Sequence, residues 1–105
     1  MSYQIINLPP VKYDILNIVN YYKTISPELA KQFLFRLREA RTYIYQYPLG
    51  FQVKYKTVRT LLLKQFPYHI HYLFNDDKKT IIILAIVHAY KNPDDYSKRK
   101  SYSSK

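Results

Sequence analysis

The chain has 105 residues, a length suited to a single domain, 1–105, with one modest core. It has no cysteine, which excludes disulfides and thiolate metal sites. A formal charge of +10 points to a polyanionic partner: nucleic acid, an acidic protein segment or an anionic membrane, with solubility alone as the competing explanation.

The charge is uneven. Residues 1–51 hold 6 Lys/Arg and 3 Asp/Glu, or +3, while residues 52–105 hold 11 and 4, or +7. The start, Met1 to Ile6, lacks the basic stretch and apolar run of a signal peptide. The longest apolar run, Ile81 to Val87, is too short to span a bilayer. A cytoplasmic protein without membrane partners is the expectation. With 1 Gly there are few residues free to take positive φ, so loops should be few and tight.

Tyr3 to Leu8 reads as a first strand, stopped by Pro9-Pro10, which cannot donate to a ladder but suit the first turn of a helix. Val11, Ile15, Ile18, Val19 and Tyr22 then mark one face of a helix from about Val11 to Lys23. Ser26-Pro27-Glu28 is a helix start with an N-cap, a proline at the first position and a carboxylate in the first turn. Ala30, Phe33, Leu37, Ala40, Ile44 and Tyr47 form the stripe of this second helix, which ends before Pro48-Leu49-Gly50. Lys31, Arg36, Arg38, Glu39 and Arg41 fall off the stripe and should be wet. The short link predicts an antiparallel helical hairpin.

After Gly50 the period becomes two. Val53, Tyr55 and Thr57 alternate with Lys54 and Lys56, as in a half-exposed strand or arm. Val58 to Phe66 is the next strand. His69 to Phe74 follows, with Ile70, Tyr72 and Phe74 on one face and His69, His71 and Leu73 on the other. Asn75 to Lys79 is a hairpin turn by composition. Ile81 to Ala89 is apolar on both faces, as a covered central strand would be. The tail from Ser97 is polar and basic, and fraying is expected there. The order β-α-α-β-β-β predicts a two-layer α+β domain: a helical hairpin packed on one side of a small, mainly antiparallel sheet. The opposite, cation-rich side is expected to be free for an anionic macromolecule.

Several pieces in this order resemble the RelE/ParE superfamily of toxins from type II toxin–antitoxin modules. They are Tyr21-Tyr22, Ser26-Pro27-Glu28-Leu29-Ala30, Pro48 with Gly50, Val58-Arg59, and Phe66-Pro67-Tyr68 with Tyr72. The closing piece runs from Ile83 to His88 through Lys91-Asn92-Pro93 to Tyr96. The wording is closer to the ParE-like, plasmid-stabilisation branch than to RelE. The resemblance implies a RelE/ParE-like fold and a growth inhibitor held inactive by an antitoxin with an acidic segment, in a hetero-oligomer. It implies DNA gyrase as the target of a ParE-like toxin, or ribosome and mRNA as the targets of a RelE-like endoribonuclease. Neither needs a cofactor or a metal.

The resemblance and the residues together mark candidate sites. As a metal-independent nuclease the chain would rely on His69, His88, Lys91 and Tyr96. Tyr96 falls where the family's nucleases carry a tyrosine, but pinning the tail to the sheet explains it as well. His69 stands where the nuclease pattern has an arginine, and imidazole lacks the bidentate guanidinium fork. Lys54, Lys56, Arg59, Lys64, His71, Tyr90 and Arg99 are the candidates for contact with an anionic target. Arg59 matches a common family arginine. Lys54 and Lys56 are equally explained as guards on an edge strand. His69 and His71 at i, i+2 lack a third convergent ligand, so no metal site is expected.

Overall fold

The computed structural model describes residues 3–90 and 96–103, with side chains through Arg99. Its elements are β1 (Gln4–Asn7), α1 (Pro9–Ile25), α2 (Pro27–Gln46), β2 (Val53–Tyr55), β3 (Val58–Leu62), β4 (Tyr68–Asn75), β5 (Thr80–His88) and a 3₁₀ helix, Tyr96–Ser103. The five strands form one sheet in the order β1-β5-β4-β3-β2. β1 runs parallel to β5, and the other neighbours are antiparallel. The two-layer α+β architecture is the one read from the sequence; the order gains a strand over β-α-α-β-β-β, because Val53–Tyr55 pairs as β2, and a 3₁₀ helix is added.

The helical hairpin follows from its sequence. Pro9 and Pro10 occupy the first turn of α1, where absent donors cost nothing. Ser26 serves both helices: its amide donates to Tyr22 O at 2.8 Å, and its hydroxyl accepts from Glu28 N at 3.1 Å. Val11, Ile18 and Val19 of α1 and Ala30, Phe33, Leu37, Ala40 and Ile44 of α2 are buried. Tyr47 is not; it lies past the end of α2 and is 63% exposed. There the chain turns tightly, with Gly50 N donating to Tyr47 O at 2.9 Å. A Cβ on Gly50 would sit 3.1 Å from Tyr47 Cβ, so the close approach suits glycine.

The helices cover the sheet face carrying Tyr68, Ile70, Tyr72 and Phe74. Phe33 meets Phe66 and Tyr68 edge-on at 5.6 and 5.8 Å, and Tyr22 meets the same two rings at 5.1 and 6.5 Å. Tyr72 is fully buried, and its hydroxyl donates to Pro48 O at 2.6 Å. Burial pushes that hydroxyl's pKa up to about 12.

Three expectations need correction. β3 ends at Leu62, because the chain bends through Gln65 at φ 71° to bury Leu63 and Phe66. Lys56 is not on a strand; it takes φ 50° in the β2–β3 turn, so it does not share a strand face with Lys54. With Lys79 also at φ 50°, positive φ falls on non-glycine residues and not on the glycine.

The third correction concerns the sheet's outer face, which is only partly free. Residues 96–99 dock against the sheet at β5. The reason lies at the β5 edge. β1 pairs with β5 only as far as Ile83, which leaves Leu84 O and Ile86 N without a strand neighbour. Asp14 of α1 accepts from Ile86 N at 3.0 Å, and Arg99 donates to Leu84 O at 2.9 Å. Arg99 and Asp14 close the arrangement with a 2.9 Å ion pair.

Candidate functional site

The outer face of β4 and its neighbours builds a hollow of about 160 Å³ lined by Lys54, Thr60, His69, His71, Val87, His88 and Ala89. Strand register explains most of this set. His69 lies between Leu62 and Val87, and His71 lies between Thr60 and Ala85. The two histidines share a face, as alternation predicts, with ring centroids 6.4 Å apart. The β2–β3 register shifts between Val53 and Tyr55. Lys54 and Tyr55, consecutive residues, therefore both come to the histidine side.

Aromatic groups close the inner end. Tyr55 Oη and His71 Nδ1 share a hydrogen bond of 3.1 Å, and Tyr96 N donates to the same hydroxyl at 3.2 Å. The Tyr96 ring stands edge-on to His71 at 5.5 Å. His71 is 5% exposed in consequence. Burial, helped by His69, Lys54 and Arg99, lowers its pKa to about 4. Burial and then Lys54 also lower that of His69. Both rings are neutral at pH 7, able to accept a proton but unable to act as fixed cations. His88 lies exposed at the end of β5, where Nδ1 accepts from Tyr90 N at 3.2 Å and Tyr68 meets the ring at 5.1 Å.

No family model matches the sequence, and no curated protein matches it. Solved structures do match. A chain of the chromosomal ParDE toxin–antitoxin system from P. aeruginosa is 23% identical at a TM-score of 0.71, over 83% of this chain and 96% of that one. A chain of the toxin–antitoxin complex RelBE2 from Mycobacterium tuberculosis is 14% identical at a TM-score of 0.55, over 84% and 99% of the two chains. A mutant of the E. coli toxin RelE in the free state is 12% identical at 0.55, over 99% and 96%.

The chain has the RelE/ParE toxin fold. Within it, the expected site residues divide into three groups. Lys54, His69, His71 and His88 are brought together in the hollow, with Tyr96 behind His71. A second group is turned to structural work. Arg59 donates to Phe51 O at 2.6 Å and to Leu49 O at 3.4 Å, fixing the loop after α2. Arg99 is held by Asp14 and Leu84 O and lies 4.9 Å over the Tyr96 ring. Lys64 lies beyond β3, 5.7 Å over the Tyr43 ring. The third group is peripheral: Lys56 in its turn, and Tyr90, 85% exposed beside His88 at 5.4 Å. Lys91 lies outside the described residues.

Sequence reasoning missed Thr60 and Tyr55, which border the hollow, and Asp14, which anchors Arg99 and Ile86 N. Thr60 and Tyr55 become visible only once register is known. Asp14 had a signal: an acid three residues after Val11, bordering the apolar stripe of α1.

Proposed function

We propose that this chain is the toxin of a type II toxin–antitoxin pair and that it acts by binding and poisoning DNA gyrase, with an acidic antitoxin segment as its inhibitor. The fold shared with ParDE and RelBE structures supports the toxin reading. The superposition on the ParDE chain at 0.71, against 0.55 for both RelE-type structures, supports the ParE branch.

One observation carries the choice of mechanism. Cleaving RNA requires stabilising a phosphate whose charge grows in the transition state. Among the residues lining the hollow, Lys54 is the one fixed cation, because the imidazoles of His69 and His71 are neutral at pH 7. Arg59 and Arg99, the two arginines of the basic half, are bonded to backbone carbonyls and to Asp14. A surface of this kind suits binding better than phosphoryl chemistry.

A second reading, ribosome-dependent mRNA cleavage, draws support from the neutral histidines, which suit proton transfer. Two assays on purified protein separate the readings. Gyrase supercoiling should be inhibited, and programmed ribosomes should keep their message intact. Codon-positioned cuts that disappear in Tyr96→Phe would instead establish the nuclease. If neither assay responds and expression leaves growth unchanged, the toxin reading fails.

A further inference from the structure

The outward face of α1 carries no charge, on a molecule of +10. Tyr13, Leu16, Asn17, Asn20, Tyr21 and Thr24 are all exposed, and they recur at i, i+3, i+4, i+7, i+8 and i+11. That spacing makes them one stripe down the outside of the helix, opposite Val11, Ile18 and Val19 in the core. Tyr13, Tyr21 and Leu16 are 63%, 57% and 44% exposed. Lys12, Asp14 and Lys23, the charged residues of α1, lie to the sides of the stripe. The outer face of α2 differs, since Lys31 and Arg38 stand on it beside Phe35. An uncharged aromatic stripe on a strongly cationic surface has the composition of an interface core, where charges are depleted and tyrosine is enriched.

The order of residues in the stripe decides what fits it. The spacing is the same from either end: Tyr13 and Thr24 lie outermost, Leu16 and Tyr21 inside them, and Asn17 and Asn20 at the centre. A second α1 laid antiparallel on the first therefore sets each Asn17 level with Asn20 of the other copy, and each Tyr13 level with Thr24. An asparagine amide carries both donors and an acceptor, so Asn17 and Asn20 can bond to each other across such a pair. Charge narrows the choice of occupant further. A face bearing lysine or arginine brings like charges together when two copies meet, and this one does not. A nucleic acid or an acidic peptide would need cations on the stripe, and it has none.

We infer that the outward face of α1 is a self-association surface, on which a second copy of this chain packs its own α1 antiparallel about a two-fold axis. One face of a 17-residue helix buries less than the roughly 800 Å² per partner of a stable complex, so the dimer is weak and forms as concentration rises. Each copy carries +10, and that repulsion opposes contact although the touching faces are neutral. Salt, by screening it, strengthens the dimer. The inference goes beyond the toxin reading and does not rest on it.

Sedimentation equilibrium of the full chain provides the test. The average mass should climb toward that of a dimer as protein concentration is raised, and further in about 1 M than in about 0.1 M sodium chloride. Asn20→Lys, an exposed change that leaves the core untouched, should weaken association about tenfold or more. The chain has no cysteine, so introduced thiols report the register. Under oxidised glutathione, Asn17→Cys mixed with Asn20→Cys should form the mixed disulfide faster than either variant links to itself. A monomer at every concentration, a dimer indifferent to Asn20→Lys, or self-linking ahead of the mixed disulfide would overturn the proposal. Association that weakens with salt would overturn it too, because a bridging polyanion behaves that way.

Discussion

His71 shows how a single burial decision sets the chemistry of the site. Tyr55, Tyr96 and the flanking strands leave it 5% exposed, and its pKa falls to about 4. In the unfolded chain it titrates near 6.5. As pH drops, the unfolded chain therefore takes the proton first. The contribution is fully present above about pH 6.5, declines between about 6.5 and 4, and levels off below. Its size is on the order of 3 kcal/mol, and His69, lowered in the same direction, adds to it. Urea unfolding of the native protein should lose stability over this window, and His71→Gln should flatten that part of the curve. An unchanged slope in His71→Gln would show that other groups drive the acid sensitivity. Alternation in the sequence was enough to put His69 and His71 on one face. It could not show that Tyr55 and Lys54 join them, because a register shift leaves no mark in a regular alternating run.

At the scale of elements, the helices were legible because each signal is local: prolines at the starts, Ser26 at the joint, and apolar stripes between. The docked 3₁₀ helix was not legible. Its anchor joins Arg99 to Asp14, 85 residues earlier, and a composition of Ser, Lys and Arg reads as solvated tail. The anchor has a measurable consequence. Asp14→Ala strips the acceptor from Ile86 N and the counter-charge from Arg99, groups that the fold partly buries. The expected cost is about 1–3 kcal/mol in denaturant unfolding, with faster amide exchange at Ile86 and along residues 96–99. Wild-type stability in Asp14→Ala would mean that the segment is held without the carboxylate, by contacts such as Arg99 to Leu84 O and Tyr96 N to Tyr55 Oη. The strand lengths were misread for a related reason. Leu63 and Phe66 carry the apolar pattern onward, but they reach the core through a bend at Gln65 and not through a ladder.

For the whole molecule, the balance of charge dominates. Arg59 and Arg99 are drawn into internal bonds while Lys12, Lys23, Lys31, Lys54, Lys56, Lys64 and Lys78 stay exposed, so the cationic surface is largely lysine. A net +10 on a domain of radius of gyration 13.6 Å repels itself in the compact state. Screening shortens from about 10 Å at 0.1 M salt to about 3 Å at 1 M. The urea midpoint should therefore rise with sodium chloride over that range. A falling midpoint would mean that attractive pairs such as Arg36–Glu39 outweigh the repulsion. The sum of charges was legible in the sequence; which cations turn inward depends on carbonyls that only the folded loops present.

The pairing of β1 with β5 joins residues 4–7 to residues 80–83. During synthesis the first strand thus waits, without its neighbour, until residues 80–83 have been made. A truncated product ending before Thr80 can form the helical hairpin but cannot seat β1. Completion of the sheet, and of any surface that depends on it, is thereby tied to synthesis through Ile83.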